Sequence, residues 1–417
     1  MRFPLAACTA VLAATALTAC GVLPGEGAGR QQVTVWLMKG SASEDFLERF
    51  TTAFEAEHED IDLEIEIQEW TGIGEKVHKV LRGEDTADVI EVGNTQVAQY
   101  AQTDGLTELT LEGLRDWGSK DWLTGLAEPG SIDGAQFGVP WYAANRVVLY
   151  NKDLFAAAGI TKEPTTRREW TRATERLDQG DRQGIYLAGQ NWYVLAGFIW
   201  DEGGELAVEG DGQWNGALGT PEAQRGMAFY KELQALGDGP KDADEETPPQ
   251  AEVFARGKVA QIIAPPGSAA LIEELNPALR GKLGYFPIPG KTAAKPGAVF
   301  TGGSDLIIPK STERRRAAVE VVSALIGEKW QTDLARTMSY VPNKTTLAHV
   351  IDDNEGTSAM AKGAAQGRAT PTSPRWADVE AKNPIKPYMT AVLTGEDPRR
   401  AAAAADATIT RVLSSDR

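Results

Sequence analysis

Tryptophan outnumbers tyrosine in this chain, 11 to 9, and the indoles do not stand alone. Trp36 precedes Lys39, Trp70 follows Glu69, Trp141 adjoins Tyr142, Trp192 follows Gln190 and Asn191, and Trp376 follows Arg375. Aromatic faces beside amides and charges suit a ligand with an apolar C–H face and a rim of hydroxyls. The rings stack on the face, and Asn, Gln, Asp, Glu and Arg bond the hydroxyls in pairs. Lys39, Asn94, Gln96, Asn191 and Arg375 are the candidate polar contacts, and Tyr142 can act either way. The plainer reading puts each indole at the edge of a core, because tryptophan is highly buried on average. It accounts for single residues better than for five in comparable settings.

Catalytic and metal chemistry find less support. The three histidines, His58, His78 and His349, are far apart in sequence. There is no Gly-x-Ser-x-Gly elbow, phosphate loop or His-x-x-x-His pair, so neither metal nor cofactor is expected. The stretch 211–216 (DGQWNG) lacks the alternating carboxylates and closing Glu of a calcium loop and reads as a tight turn between strands. Glycoside hydrolysis needs only two carboxylates, which an acidic chain always offers, but nothing singles out a pair. The formal net charge of −17 argues against nucleic acid or an anionic membrane surface as partner. A polyamine receptor should place paired carboxylates at strand ends, and Glu69 is the clear one in the first third of the chain.

The elements that would position these residues follow from periodicity. Residues 33–37, 61–67 and 87–92 read as strands, the second with alternating Ile/Leu and Asp/Glu, and amphipathic helices separate them. Ser41 and Glu44 have capping-box spacing. Strands alternating with helices imply parallel β-α-β units, whose ligands sit beyond the carboxyl ends of the strands. Those ends carry Trp36 to Lys39, Glu69-Trp70 and Asn94 to Gln96. At 417 residues the chain can bury two cores, since single cores stop growing near roughly 250–300 residues. The segment 138–155 (GVPWYAANRVVLYNKDLF) reads as a first crossing between two lobes. Further strands are expected at 184–188 and 259–264. A second crossing is expected at 299–309, interrupted by Gly302-Gly303, and a third at 340–344.

At the N-terminus Arg2 and an Ala-rich apolar run to Ala19 read as an export signal. It ends in Leu17-Thr18-Ala19-Cys20, which resembles the lipobox of bacterial lipoproteins, where the cysteine is lipidated. The other cysteine, Cys8, lies inside the signal and would be removed with it. A Gly-rich tether over 21–32 follows.

The lipobox, the opening VTVWLMKGSASEDFLERFTTAFEAEH, the ADVIEVGN strand end, the crossing at 138–155 and VFTGGSDLII together resemble extracellular solute-binding lipoproteins of bacterial carbohydrate ABC importers. The resemblance spans essentially the whole chain. It implies an α/β, two-lobe periplasmic-binding-protein-like fold of type II with three hinge crossovers. One lobe would comprise 33–145 plus 300–342, and the other 146–299 plus 343–417. It implies a non-catalytic receptor closing on a neutral sugar, a permease as partner, and a membrane anchor through Cys20. Carried over residue by residue, it gives contacts at Trp36 to Lys39, Asn94 to Gln96, Trp141-Tyr142, Asn191 to Tyr193, Gly303-Ser304 and Trp376. Pro266-Gly267-Ser268 stands where this family often has Gly-x-Trp, so one stacking wall would come from elsewhere.

Overall fold

The computed structural model describes residues 30–70, 72–351 and 354–414. The expected signal, Cys20 and most of the tether lie outside them. The strands that matter are β1 (Gln31–Met38), β2 (Ile61–Gln68), β3 (Val89–Gly93), β4 (Val139–Ala144), β5 (Val147–Asn151), β6 (Gln261–Ala264), β7 (Leu283–Phe286), β8 (Gly302–Ile307) and β9 (Val341–Pro342). They form a six-stranded sheet in the order β9-β4-β8-β3-β1-β2 and a three-stranded sheet in the order β6-β5-β7. This is a two-lobe α/β architecture, and each sheet has its own core.

Direction decides which ends meet. β1 runs parallel to β2 and β3, while β8 is antiparallel to both β3 and β4, and β9 is antiparallel to β4. The carboxyl ends of β1, β2, β3 and β4 therefore share one edge with the amino ends of β8 and β9. Only Asn145 and Arg146 separate β4 in the first sheet from β5 in the second. The return runs through the two-residue strand Val299–Phe300 and Thr301 into β8. After β9, a cluster joining Ala143, Val147, Val341, Ala359 and Met360 packs across both sheets.

The period of two in β1 sorts its side chains. Val33, Val35 and Leu37 enter one core with Val89 and Trp141, while Trp36 and Met38 enter the other with Ile90 and Val92. Phe46, Phe50 and Phe54 recur every fourth residue on α1 (Glu44–Glu57), and the first two meet the Trp330 ring edge-on at 5.6 and 5.1 Å. The second lobe's core surrounds α2 (Trp192–Asp201) and takes in Trp376 and Val379 of α3 (Trp376–Lys382).

Two expectations need correcting. The cap of α1 is Ser43, which accepts from the Phe46 N–H, and Ser41 is used elsewhere. Residues 184–188 form isolated bridges, Gln183 to Val259 and Tyr186 to Ile262, rather than a strand. The donors there are divided: the Ile185 N–H bonds the Leu236 carbonyl and the Tyr186 N–H bonds Gln261. The 211–216 stretch is a turn as read, closing the hairpin Ala207–Gly210 with Gln213–Gly216 through left-handed Asp211 and Gly212.

Gly303 is what the interrupted strand at 299–309 requires. Its φ is 146°, and a Cβ there would lie 2.1 Å from the Tyr142 carbonyl oxygen. Gly303→Ala should destabilise the protein by about 2–4 kcal/mol, from backbone strain and overpacking together, in urea unfolding. An unchanged midpoint would mean that β4 and β8 can separate without cost.

Candidate functional site

The shared edge of the larger sheet holds two polar constellations. The first centres on Glu91, which sits inside β3 where the alternation calls for an apolar residue. Its carboxylate accepts from the Met38 N–H at 2.7 Å, the Ser41 hydroxyl at 2.7 Å and the Tyr142 hydroxyl at 3.0 Å. Ser304 donates to the Tyr142 hydroxyl at 3.1 Å, and the Tyr142 ring stacks on Tyr340 at 4.0 Å. Burial pushes the Glu91 carboxyl up, and these hydrogen bonds pull it back. Burial also holds the Tyr142 hydroxyl well above its ordinary range, so it stays a donor. One carboxylate thereby fixes the ends of β1, β4 and β8 together. Glu91 was missed in the sequence, although an acid within a buried apolar run was its signal.

The second constellation lies where the lobes meet. Asn94 donates to the Thr301 carbonyl at 3.2 Å, and Thr95 donates to Glu380 Oε2 at 3.1 Å from the opposite lobe. Glu380 Oε1 accepts from the Trp376 indole N–H at 2.9 Å. Tyr193 lies 4.0 Å from Trp192 between ring centroids and stacks on Phe300 at 4.4 Å, with the Arg146 guanidinium 4.8 Å over its face. Arg146 also pairs with Glu245 at 2.7 Å. Burial raises the Glu380 carboxyl to about 7.

Several buried polar atoms near the crossings are left unbonded. Gln96 Oε1, Asn145 Oδ1, Arg146 Nε, Asn191 Nδ2 and Thr301 Oγ1 have no hydrogen-bond partner among the described residues. All five residues stand at strand ends, at α2's cap or in the crossings. A buried polar group without a partner costs about 1–3 kcal/mol, and the same state occurs inside the larger sheet at Trp36 Nε1, Trp141 Nε1 and both Asp305 carboxylate oxygens.

The expected contacts divide accordingly. Asn94 and Trp192 reach the crossing through Thr301 and Phe300, Trp376 reaches the junction through Glu380, Gln96 follows Thr95 there, and Asn191 caps α2 through its Oδ1. Tyr142 and Ser304 belong to the Glu91 constellation. Lys39 pairs with Glu69 at 2.7 Å near the exposed Trp70, on the rim. Arg375 pairs with Asp378 at 2.8 Å. Trp36 and Trp141 are corrected: their indoles are 3% and 0% exposed inside the two cores flanking the large sheet, where no ligand face can reach them. Arg146, Phe300, Tyr340 and Glu380 were not singled out as contacts in the sequence, although the first three lie in the expected crossings. Glu380 had a signal, since it follows Trp376 by four residues on one helix face.

Residues 39–332 match the model of the bacterial extracellular solute-binding protein family. The chain belongs to this family. Among solute-binding relatives, it is 39% identical over 379 residues to the diacetylchitobiose binding protein DasA of Streptomyces coelicolor, covering 90% of this chain and 88% of that one. The maltodextrin-binding protein MdxE of Bacillus subtilis is 24% identical, with 85% and 84% covered. The sugar-binding protein MalE of Xanthomonas citri superposes with a TM-score of 0.83 at 21% identity, covering 92% of this chain and 97% of that one, and shows the same solute-binding fold.

Trp141→Ala should cost about 3–5 kcal/mol in equilibrium unfolding, as for other large aromatic side chains removed from a core. A loss below about 1 kcal/mol would return Trp141 to the candidate ligand contacts.

Proposed function

We propose that this protein captures a short N-acetylated, β-linked sugar of the diacetylchitobiose type and delivers it, chemically unchanged, to the permease subunits of an ABC importer. The observation that carries this reading is the relationship to DasA taken together with the unbonded polar atoms at the lobe junction. An acetamido group needs an acceptor for its N–H, a donor for its carbonyl and an apolar wall for its methyl. Gln96 Oε1 offers the first, Asn191 Nδ2 and Arg146 Nε offer the second, and the Trp192, Tyr193 and Phe300 rings offer the third.

The lobes would comprise 33–145 plus 300–342 and 146–299 plus 343–417, turning about Asn145-Arg146 and Thr301 to close on the sugar. Trp376 would support the wall from the second lobe by holding Glu380 through its indole N–H, and Lys39, Trp70, Tyr142, Ser304 and Arg375 would complete or support the walls. Lipid on Cys20 would hold the receptor at the outer face of the cell membrane.

A thermal-shift series tests the ligand. Diacetylchitobiose should raise the melting temperature progressively, reaching about 2.7 kcal/mol of stabilisation at a hundredfold excess over Kd, and should be recovered intact. A response to maltose but not to diacetylchitobiose, or release of free N-acetylglucosamine, would contradict the proposal. Cys20→Ala should move the protein from the membrane fraction to the medium, and retention in the membrane would remove the anchor from the account.

A further inference from the structure

We infer that Glu380 is a specificity-determining carboxylate of the cleft: fixed through Oε1 by the Trp376 indole, it clasps Thr95 of the opposite lobe through Oε2 and yields that oxygen to a hydroxyl or amide N–H of the bound sugar. The inference rests on the proposal that the sugar lies at the lobe junction.

The geometry gives the two oxygens different tasks. Trp376 is 1% exposed and packed in the second lobe's core, so its N–H holds Oε1 from a rigid support. Oε2 bonds the Thr95 hydroxyl, which stands at the end of β3 in the first lobe. A hydroxyl is the chemical equivalent of a sugar O–H, so the Thr95 contact occupies the place that a ligand donor can take. Such an exchange lets a sugar with a donor at that position bind without leaving the half-buried carboxylate unpaired. A sugar without the donor breaks the Thr95 bond and supplies no substitute, a penalty that discriminates strongly between close analogues.

Glu380 has no ion pair among the described residues. From α2, Tyr193 faces it, and behind that ring Arg146 is engaged with Glu245 at 2.7 Å. On its own helix Arg375 is paired with Asp378 at 2.8 Å, and Lys382 lies in the last turn. Burial raises the carboxyl to about 7, against the lowering effect of the Trp376 and Thr95 bonds. An exposed carboxyl in separated lobes would titrate near about 4.3. The clasped form therefore keeps a proton that the separated form has lost between those values, and the clasp weakens as pH rises through about 7.

Calorimetric titration of the full-length protein with diacetylchitobiose at pH 7 tests the exchange. Glu380→Gln should weaken binding roughly tenfold or more, whereas Thr95→Val should bind within about threefold of the parent. Glu380→Gln binding within about twofold of the parent, or Thr95→Val losing as much affinity as Glu380→Gln, would overturn the inference.

If diacetylchitobiose binds none of the three proteins, the ligand proposal has failed. The clasp is then judged by small-angle scattering of unliganded protein. A radius of gyration that grows between about pH 4.5 and 8 in the parent but not in Glu380→Gln supports it, and identical values in both proteins at both pH values overturn it.

Discussion

Polar atoms taken out of water must find partners, and near the crossings between the two lobes the described residues do not provide enough of them. Gln96 Oε1, Asn145 Oδ1, Arg146 Nε, Asn191 Nδ2 and Thr301 Oγ1 are unpaired among those residues. The sheet topology forces the situation. Four parallel strands end at one edge, and the chain crosses to the second lobe from that same edge. Strand ends expose backbone and short polar side chains, and closing a second lobe over them buries what they expose. On the proposed function, a solute with its own hydroxyls and amides would meet these atoms when the lobes close on it.

The rest of the structure keeps that edge in register. Glu91 ties the Met38 N–H, Ser41 and Tyr142 to one carboxylate, so the ends of β1 and β4 cannot drift independently. Gly303 lets β8 approach the Tyr142 carbonyl closely enough to carry Ser304 into the same group. On the other side, Trp376 is packed as core yet presents its N–H to Glu380, which joins core rigidity to the cleft. Binding sites held by residues that are themselves immobilised lose less entropy when a ligand arrives.

Much of this was legible in the sequence. The alternation of Ile61, Leu63, Ile65 and Ile67 with acids identified β2, and strand ends converging on one edge follow from the β-α-β order. The crossing at 138–155 and the glycines at 302–303 marked where the chain changes lobes. Face assignment was harder to read. Trp141 and Tyr142 are adjacent in a strand, so they point to opposite faces, but both faces of this sheet are covered and parity alone could not say which residue reached a ligand. Trp36 was obscured for the same reason, since Val35 and Leu37 are as buried as it is. The Thr95–Glu380 contact joins residues 285 positions apart across two lobes, and no local pattern encodes such a pairing.

The most direct test is a crystal structure of the full-length protein with diacetylchitobiose. The account predicts sugar density at the lobe junction, bounded by Trp192, Tyr193 and Trp376, with Gln96 Oε1, Arg146 Nε and Asn191 Nδ2 within hydrogen-bond distance of it. Sugar bound elsewhere, such as in the groove lined by Trp200, Lys291, Gln366 and Arg368, with those three atoms still unpaired, would contradict it.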